Sequence, residues 1–570
     1  MKAHGLATTL DVTVIITMTS LDEVLVTRFM EAQALEEVGD TGSAAAAYDA
    51  LASLFFASKN PTACSFFNEQ SKQHQRSQGP PAALVASIAL NSLGGFYIDD
   101  QELQKAHECF TRSHRLWPGH AMALVNLGDL EREHGNVQVA FEHYEAAAEL
   151  PPLNQLDGWY GAWVSAPRAE AVALATYMVV LHLHQRLEFD TALRYLHRFD
   201  DVRYRIAPHL WRAIVQTPST LPKKLAPAVA AECERVRRFD HALPPPLLHA
   251  LQHTFSPTSP FWDETDYGER AYFSFWHPVR RGGDDQDDSA APPSNLIELL
   301  VRHLLPLTGC ADSVVGAEWW VHTRTESRSI GHQMHWDTEE HSLASGRLLH
   351  PLVSSVVYLS GAADPEGSGV AASGDPTVVF DMKVGDDDAT AAMVSHPAEG
   401  SLLLFPGDRL HCVCPAGAAK VTPPHHVTPH KRPRASEGSR LTPSDEQPQR
   451  LTLMIGFWGE DVAKEAKRQP LGACGPLPRT SRRCSWPERL KVPDALTAGV
   501  APAISMAVPR EVSRVTKPWE LLPSPSEGNG HSADGWKGML EVPEARNHRF
   551  FVGGLDEFRD QLHVGHGSSM

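Results

Sequence analysis

Cysteine is scarce in this chain, eight among 570 residues, and never densely spaced. A disulfide scaffold is therefore not expected, and the thiols point to a reducing compartment. Positive charge is short as well: 51 lysines and arginines face 69 aspartates and glutamates, a formal net charge of −18. Such a chain repels a phosphate backbone, so no nucleic-acid partner is expected. Long apolar runs are also missing, none reading as the eighteen or so residues that span a bilayer. The short apolar run at 12–18 is flanked by Asp11 and Asp22 and preceded by Lys2 alone, a poor match to a secretory signal. We expect no membrane partner and an intracellular, cytoplasmic location.

What is present is globular: 42% apolar residues and thirteen tryptophans, in a chain too long for one ordinary core. Two to four domains of roughly 100 to 200 residues each are expected. The first of them is repetitive. At an offset of 34, Leu90, Leu93, Gly94, Ala106, Phe110 and Pro118 return as Leu124, Leu127, Gly128, Ala140, Tyr144 and Pro152. Small residues at these places let two helices approach closely, and the proline ends the second one. The segment AMALVNLGDLEREHGNVQVAFEHYEAAAELPP resembles a tetratricopeptide repeat. Two copies are few for a stacked array, which needs about three, so degenerate units are expected on both sides, in GDTGSAAAAYDALASLFF and AEAVALATYMVVLHLHQRLEFDTALRYLHRF.

Beyond about residue 250 the texture changes. SNLIELLVRHLLPL, at 294–307, still reads as a helix with Asn295 and Glu298 as its capping pair. After it come AEWWVHT, LVSSVVYLS, PTVVFDM, SLLLFPG, RLHCVC and RLTLMIGFW, short runs punctuated by glycine or proline, as in antiparallel strands that close a jelly roll. Within this set lies GHQMHWDTEEHS, 331–342. A strand has a side-chain period of two, so His335 and Asp337 share a face and Trp336 points away. One further imidazole, from His411 after the turn Pro406-Gly407, completes two histidines and a carboxylate. Such a set covers one face of an octahedral ion and leaves three positions open, which suits Fe(II). Cys412 and Cys414 flank His411 with opposite facing, so Cys412 is expected to point outward.

This ordered set resembles the Fe(II)- and 2-oxoglutarate-dependent oxygenases, within them the branch of the prolyl 4-hydroxylase catalytic domain. His335-x-Asp337 matches the first two metal ligands, GDPTVVF a following strand, and GSLLLFPGDRLHCV the distal ligand at His411. Arg450 and Thr452, opening the last strand, look like the anchor of the cosubstrate's far carboxylate, where a guanidinium grips with two parallel hydrogen bonds. The branch carries a tyrosine three residues before its HxD and a lysine anchor, where this chain has His332 and Arg450. His332 and His322 join the residues expected around the cosubstrate. The resemblance implies Fe(II) as cofactor, 2-oxoglutarate as cosubstrate and ascorbate as an accessory reductant. It also implies a hydroxylase whose repeats recruit a protein or peptide substrate. Two alternatives stay open, a non-catalytic scaffold working through the repeats and a small-molecule oxygenase.

The expected fold class is α+β and multidomain, a helical solenoid followed by a double-stranded β-helix. Residues 1–25 are read as a loose leader, 26–204 as the repeats and 205–463 as the oxygenase domain. The last includes a breaker-rich, disordered insert at 415–448 that carries His425, His426 and HKRPR. Residues 464–570 are read as an irregular extension, mostly loose at 469–525. Nothing in the sequence sets the oligomeric state.

Overall fold

The computed structural model describes residues 21–57, 82–151, 161–215, 235–267, 273–279, 292–325, 331–339, 347–361, 374–416, 449–460, 474–496, 506–523, 540–541 and 550–552. The protein is α+β, with helices in its N-terminal part and sheets in its C-terminal part. The chain divides into two compact units. One comprises Met1–Leu183, Glu188–Asp201 and Ser524–Arg546; the other His184–Leu187, Val202–Pro523 and Asn547–Met570.

The first unit is built of successive helix pairs: Leu21–Glu37 with Thr41–Ala57, Ala82–Asp99 with Leu103–Leu116, Ala121–Glu133 with Val137–Ala148, and Gly161–Gln185 followed by Phe189–Leu196. Two of the pairs interlock at equivalent positions. A Cβ added at Gly94 would lie 2.4 Å from the Phe110 ring, and one at Gly128 would lie 2.6 Å from the Tyr144 ring. The bare backbone of one helix is thus the seat of the partner's aromatic ring, and the 34-residue repetition of Gly and Phe/Tyr repeats that seat. Tyr144 is held there by donating to Asp129 at 2.6 Å.

Two expectations need correction here. The Leu21–Glu37 helix begins inside the stretch read as a loose leader, and Leu25 is fully buried; residues 1–20 lie outside the described residues. The Ala82–Asp99 helix is, by length and composition, apolar enough to cross a membrane, although no such segment was expected. More than half of it is buried in the unit, where its alanines pack against both neighbouring helices, and packing among helices accounts for that composition.

The second unit holds two main sheets. The larger has eight strands, in the order Cys474–Pro476, Ser274–Pro278, Gly316–Thr325, Gln449–Trp458, Val353–Tyr358, Leu402–Pro406, Arg237–Asp240 and Val508–Arg510. The smaller has five: Ser513–Thr516, Ala391–Ser395, Thr377–Phe380, His411–Val413 and His332–His335. All neighbours are antiparallel except Cys474–Pro476, which runs parallel to Ser274–Pro278. Alternation along each strand separates two faces. On the larger sheet, Val353, Val357, Leu402, Leu404, Leu453 and Ile455 join the main core with the helices Pro245–Thr254 and Leu296–Leu304 and with Trp486. Asn295 caps the second helix by accepting from the Glu298 backbone N–H. Intervening residues point the other way, where Val356, Tyr358, Leu403 and Phe405 meet Val379 of the smaller sheet. The two sheets therefore face one another across that second cluster.

The extension read as irregular is partly built into these sheets. It supplies Cys474–Pro476 and Val508–Arg510 at the two edges of the larger sheet and Ser513–Thr516 at an edge of the smaller one. Trp519–Leu521 and Phe551–Val552 pair with Tyr204–Ile206 in a third, three-stranded sheet. These strands are short and paired on one side, and two contain proline, so no period of two can develop to reveal them. Of the insert at 415–448, only Pro415 and Ala416 lie among the described residues.

Candidate metal centre

The centre lies between the facing sheets. The strand His411–Val413 runs antiparallel to His332–His335, with His411 opposite His335 and Val413 opposite His332. Three steps on one strand thus answer two on the other, a β-bulge, and a bulge re-aims side chains. Its effect is to bring His332 alongside His335, their ring centroids 4.9 Å apart, although strict alternation would separate them. Asp337 follows just beyond the strand end. Met334 and Trp336 take the opposite face and are buried, Trp336 donating to the Met382 carbonyl at 3.4 Å.

Donor atoms of His335, Asp337 and His411 all fall within 4.8 Å of one another. Asp337 Oδ1 stands 3.8 Å from His335 Nε2 and 3.6 Å from His411 Nε2. The tautomers follow from the backbone. His335 Nδ1 lies 2.8 Å from the Gln333 carbonyl and His411 Nδ1 3.0 Å from the Arg409 carbonyl. A carbonyl can only accept, so each Nδ1 carries a proton, and each Nε2 is the ring nitrogen left turned towards the carboxylate. Fixing the far ring nitrogen in this way is how proteins orient metal-binding imidazoles. The carboxylate is held too: Ser354 donates to Asp337 Oδ2 at 2.5 Å, and the Asp337 backbone carbonyl accepts from His350 Nδ1 at 2.7 Å. The ring of Phe405 packs 4.8 Å from that of His411 and forms one apolar wall.

Arg450 enters from the larger sheet. Its side chain is 4% exposed, donates from Nη2 to Thr377 Oγ1 at 3.2 Å and lies over the Tyr358 ring, 5.6 Å from the centroid. Tyr358 in turn donates to Thr377 Oγ1 at 3.0 Å. Thr452 is buried two residues along and pairs with His322 on one side and Tyr358 on the other. Its hydroxyl has no hydrogen-bond partner among the described residues. His322 contacts the Tyr267 hydroxyl at 2.9 Å, and its ring centroid is 5.8 Å from that of His332. All seven residues singled out in the sequence thus lie on or beside the inward faces of the two sheets.

Cys412 faces away from the centre, as strand parity requires, and is fully buried. That face is covered: Phe380 on the adjacent strand stacks on Trp519, with centroids 5.5 Å apart. Cys414 shares the face, its sulfur 3.4 Å from that of Cys412, and burial pushes its thiol well above the usual range. Glu339 donates its backbone N–H to the Leu349 carbonyl; Glu340, His341, His425 and His426 lie outside the described residues. Sequence reading passed over Ser354, Tyr358 and Tyr267. Ser354 and Tyr358 lie four residues apart on the inward face of one strand, and the equally polar Ser355 between them left that face without a signal in the sequence.

No protein-family model matches the sequence, nor does any curated protein. Among solved structures, the chain is matched to HygX from Streptomyces hygroscopicus, in one structure with nickel and 2-oxoglutarate bound and in another with iron bound. Identity is 12% in each, and the alignments cover 40% of this chain and 82% of the other. The TM-scores are 0.20 and 0.19, too low to carry any argument, so the site rests on its own geometry.

Proposed function

We propose that the chain is a non-haem Fe(II)- and 2-oxoglutarate-dependent dioxygenase that hydroxylates a protein or peptide side chain. In this reading the facing sheets are a jelly roll of the prolyl 4-hydroxylase type, and the helix pairs are tetratricopeptide-like repeats that recruit the substrate. One observation carries it: a backbone carbonyl takes the Nδ1 of each imidazole, and the two Nε2 atoms converge with one carboxylate oxygen. Two neutral nitrogen donors and one anionic oxygen suit a borderline divalent ion with positions left open.

Bound Fe(II) supplies the activation of dioxygen, with 2-oxoglutarate oxidised to succinate and carbon dioxide as one oxygen atom enters a substrate C–H bond. The protein's part is binding, orientation and exclusion of water. His335, Asp337 and His411 would hold the ion. Arg450 would hold the cosubstrate's far carboxylate, which a guanidinium can meet with two parallel hydrogen bonds, and the buried Thr452 hydroxyl would donate to the same group. Thr377 and the Tyr358 ring keep the guanidinium aimed. His322 and His332 border the space between that anchor and the ion.

The test is anaerobic titration of the full chain with Fe(II) and 2-oxoglutarate, read by the visible charge-transfer band of the chelate, followed by succinate release in air. The band and the release are both expected to vanish in Asp337→Ala. A folded wild-type protein that shows neither overturns the proposal.

A further inference from the structure

We infer that Ser354 is a positioning residue for the metal centre, holding Asp337 to a single donor oxygen and so setting how many positions on the ion stay open. This inference rests on the metal-binding reading above.

A carboxylate can meet an ion with one oxygen or with two. Two would fill adjacent positions, so two histidines and a chelating carboxylate would leave an octahedral ion with two openings where this centre needs three. Here the two oxygens are unlike. Oδ1 faces both histidine Nε2 atoms, whereas Oδ2 accepts from Ser354 at 2.5 Å. Ser354 is 2% exposed, so water does not compete for that bond. Turning the carboxylate to present both oxygens would strand the buried hydroxyl, and a buried polar group left without its partner is costly.

The strand itself provides a control. Ser354 and Ser355 are neighbours of equal burial on opposite faces. Ser355 donates to the Ile455 carbonyl at 2.9 Å, a bond within its own sheet. Loss of either hydroxyl removes one buried hydrogen bond, but only the first touches a ligand of the ion.

The experiment uses the full chain with Co(II), whose visible absorption reports coordination number, titrated with and without 2-oxoglutarate. In Ser354→Ala the Co(II) dissociation constant is expected to rise about 10- to 100-fold, the range for loss of a group that orients a metal ligand. The Co(II) spectrum is expected to change, and 2-oxoglutarate is expected to bind the loaded protein more weakly. Ser354→Thr, which keeps the hydroxyl, should restore all three quantities, and Ser355→Ala should leave all three as in the wild type. Should Ser354→Ala fail to fold, Ser354→Val, which has the shape of threonine without its hydroxyl, is read against Ser354→Thr for the same quantities. Wild-type affinities and spectrum in the alanine or valine variant overturn the inference and leave the metal centre standing. A wild-type protein that binds no Co(II), or binds it equally well as Asp337→Ala, overturns the metal centre itself.

Discussion

Arg450→Met offers the most direct separation of the cosubstrate anchor from the metal. Methionine keeps an unbranched stem against the Tyr358 ring and removes the charge, so packing changes little while recognition changes much. The guanidinium is 4% exposed, which places any carboxylate it binds in a poorly solvated setting. Two unit charges about 4 Å apart interact by about 4 kcal/mol at an effective dielectric constant of about 20. Part of that is offset by desolvation of the carboxylate, and truncating one partner of a buried charge pair in a complex costs about 2 to 5 kcal/mol. A net loss of about 3 kcal/mol raises the 2-oxoglutarate dissociation constant roughly 100-fold. Calorimetric titration of the metal-loaded protein under anaerobic conditions measures it. Pyruvate is the internal control: it has the same 2-oxo acid end and no distal carboxylate, so it should bind wild type and Arg450→Met alike. If Arg450→Met binds 2-oxoglutarate within threefold of wild type, or loses pyruvate binding to the same extent, the anchor is elsewhere.

Three other outcomes are expected. Gly128→Ala and Gly94→Ala each gain up to about 1 kcal/mol of helix propensity, but the new Cβ meets an aromatic ring at 2.6 or 2.4 Å. Overpacking of this kind costs about 1 to 3 kcal/mol, so both variants should lower the denaturation midpoint, whereas Gly42→Ala, with nothing within 4 Å, should not. His396 is 5% exposed, donates to the Ala213 carbonyl at 3.0 Å, and burial lowers its pKa to about 4. Because the unfolded chain takes up this proton near pH 6.5 and the folded one does not, stability should be full above that pH and fall by about 3 kcal/mol as pH drops towards 4. His396→Gln should flatten that limb in denaturant titrations across the range, and an unchanged slope would refute the assignment. His411→Ala, leaving one imidazole and one carboxylate, should lose Fe(II) binding in equilibrium dialysis while keeping wild-type far-UV circular dichroism; retained binding would remove His411 from the ligand set.

The helical unit was legible where a single physical constraint recurs. Gly94 and Gly128 must be bare for Phe110 and Tyr144 to seat, so the spacing of small and aromatic residues survives in the sequence. Strands carried by both neighbours, such as Val353–Tyr358 and Leu402–Pro406, show as apolar runs because every position is buried. Edge strands such as Val508–Arg510 and Ser513–Thr516 are half-exposed and short, and nothing in their composition separates them from loop. Trp486 illustrates the same limit: a fully buried core residue stands in a stretch of prolines, arginines and serines whose burial depends on partners more than two hundred residues away, among them Glu264, which accepts from the backbone N–H groups of Ser485 and Trp486.

The centre divides the same way. The residues of the proposed centre, His335, Asp337, His411 and Arg450, could be named from order and spacing, because few side-chain types suit the roles proposed for them. Residues that act by geometry could not. Ser354 and Ser355 are indistinguishable in sequence, and only the parity of one strand between two others decides which serine meets the carboxylate and which meets a backbone carbonyl. The bulge opposite His411 is equally silent, since it depends on the register between strands that lie some seventy residues apart. It is the bulge that brings His332 beside His335, so a change that restores regular pairing there should separate the two rings while leaving every ligand type in place. The arrangement of this centre thus resides in backbone register and backbone carbonyls as much as in the side chains that give it its chemistry.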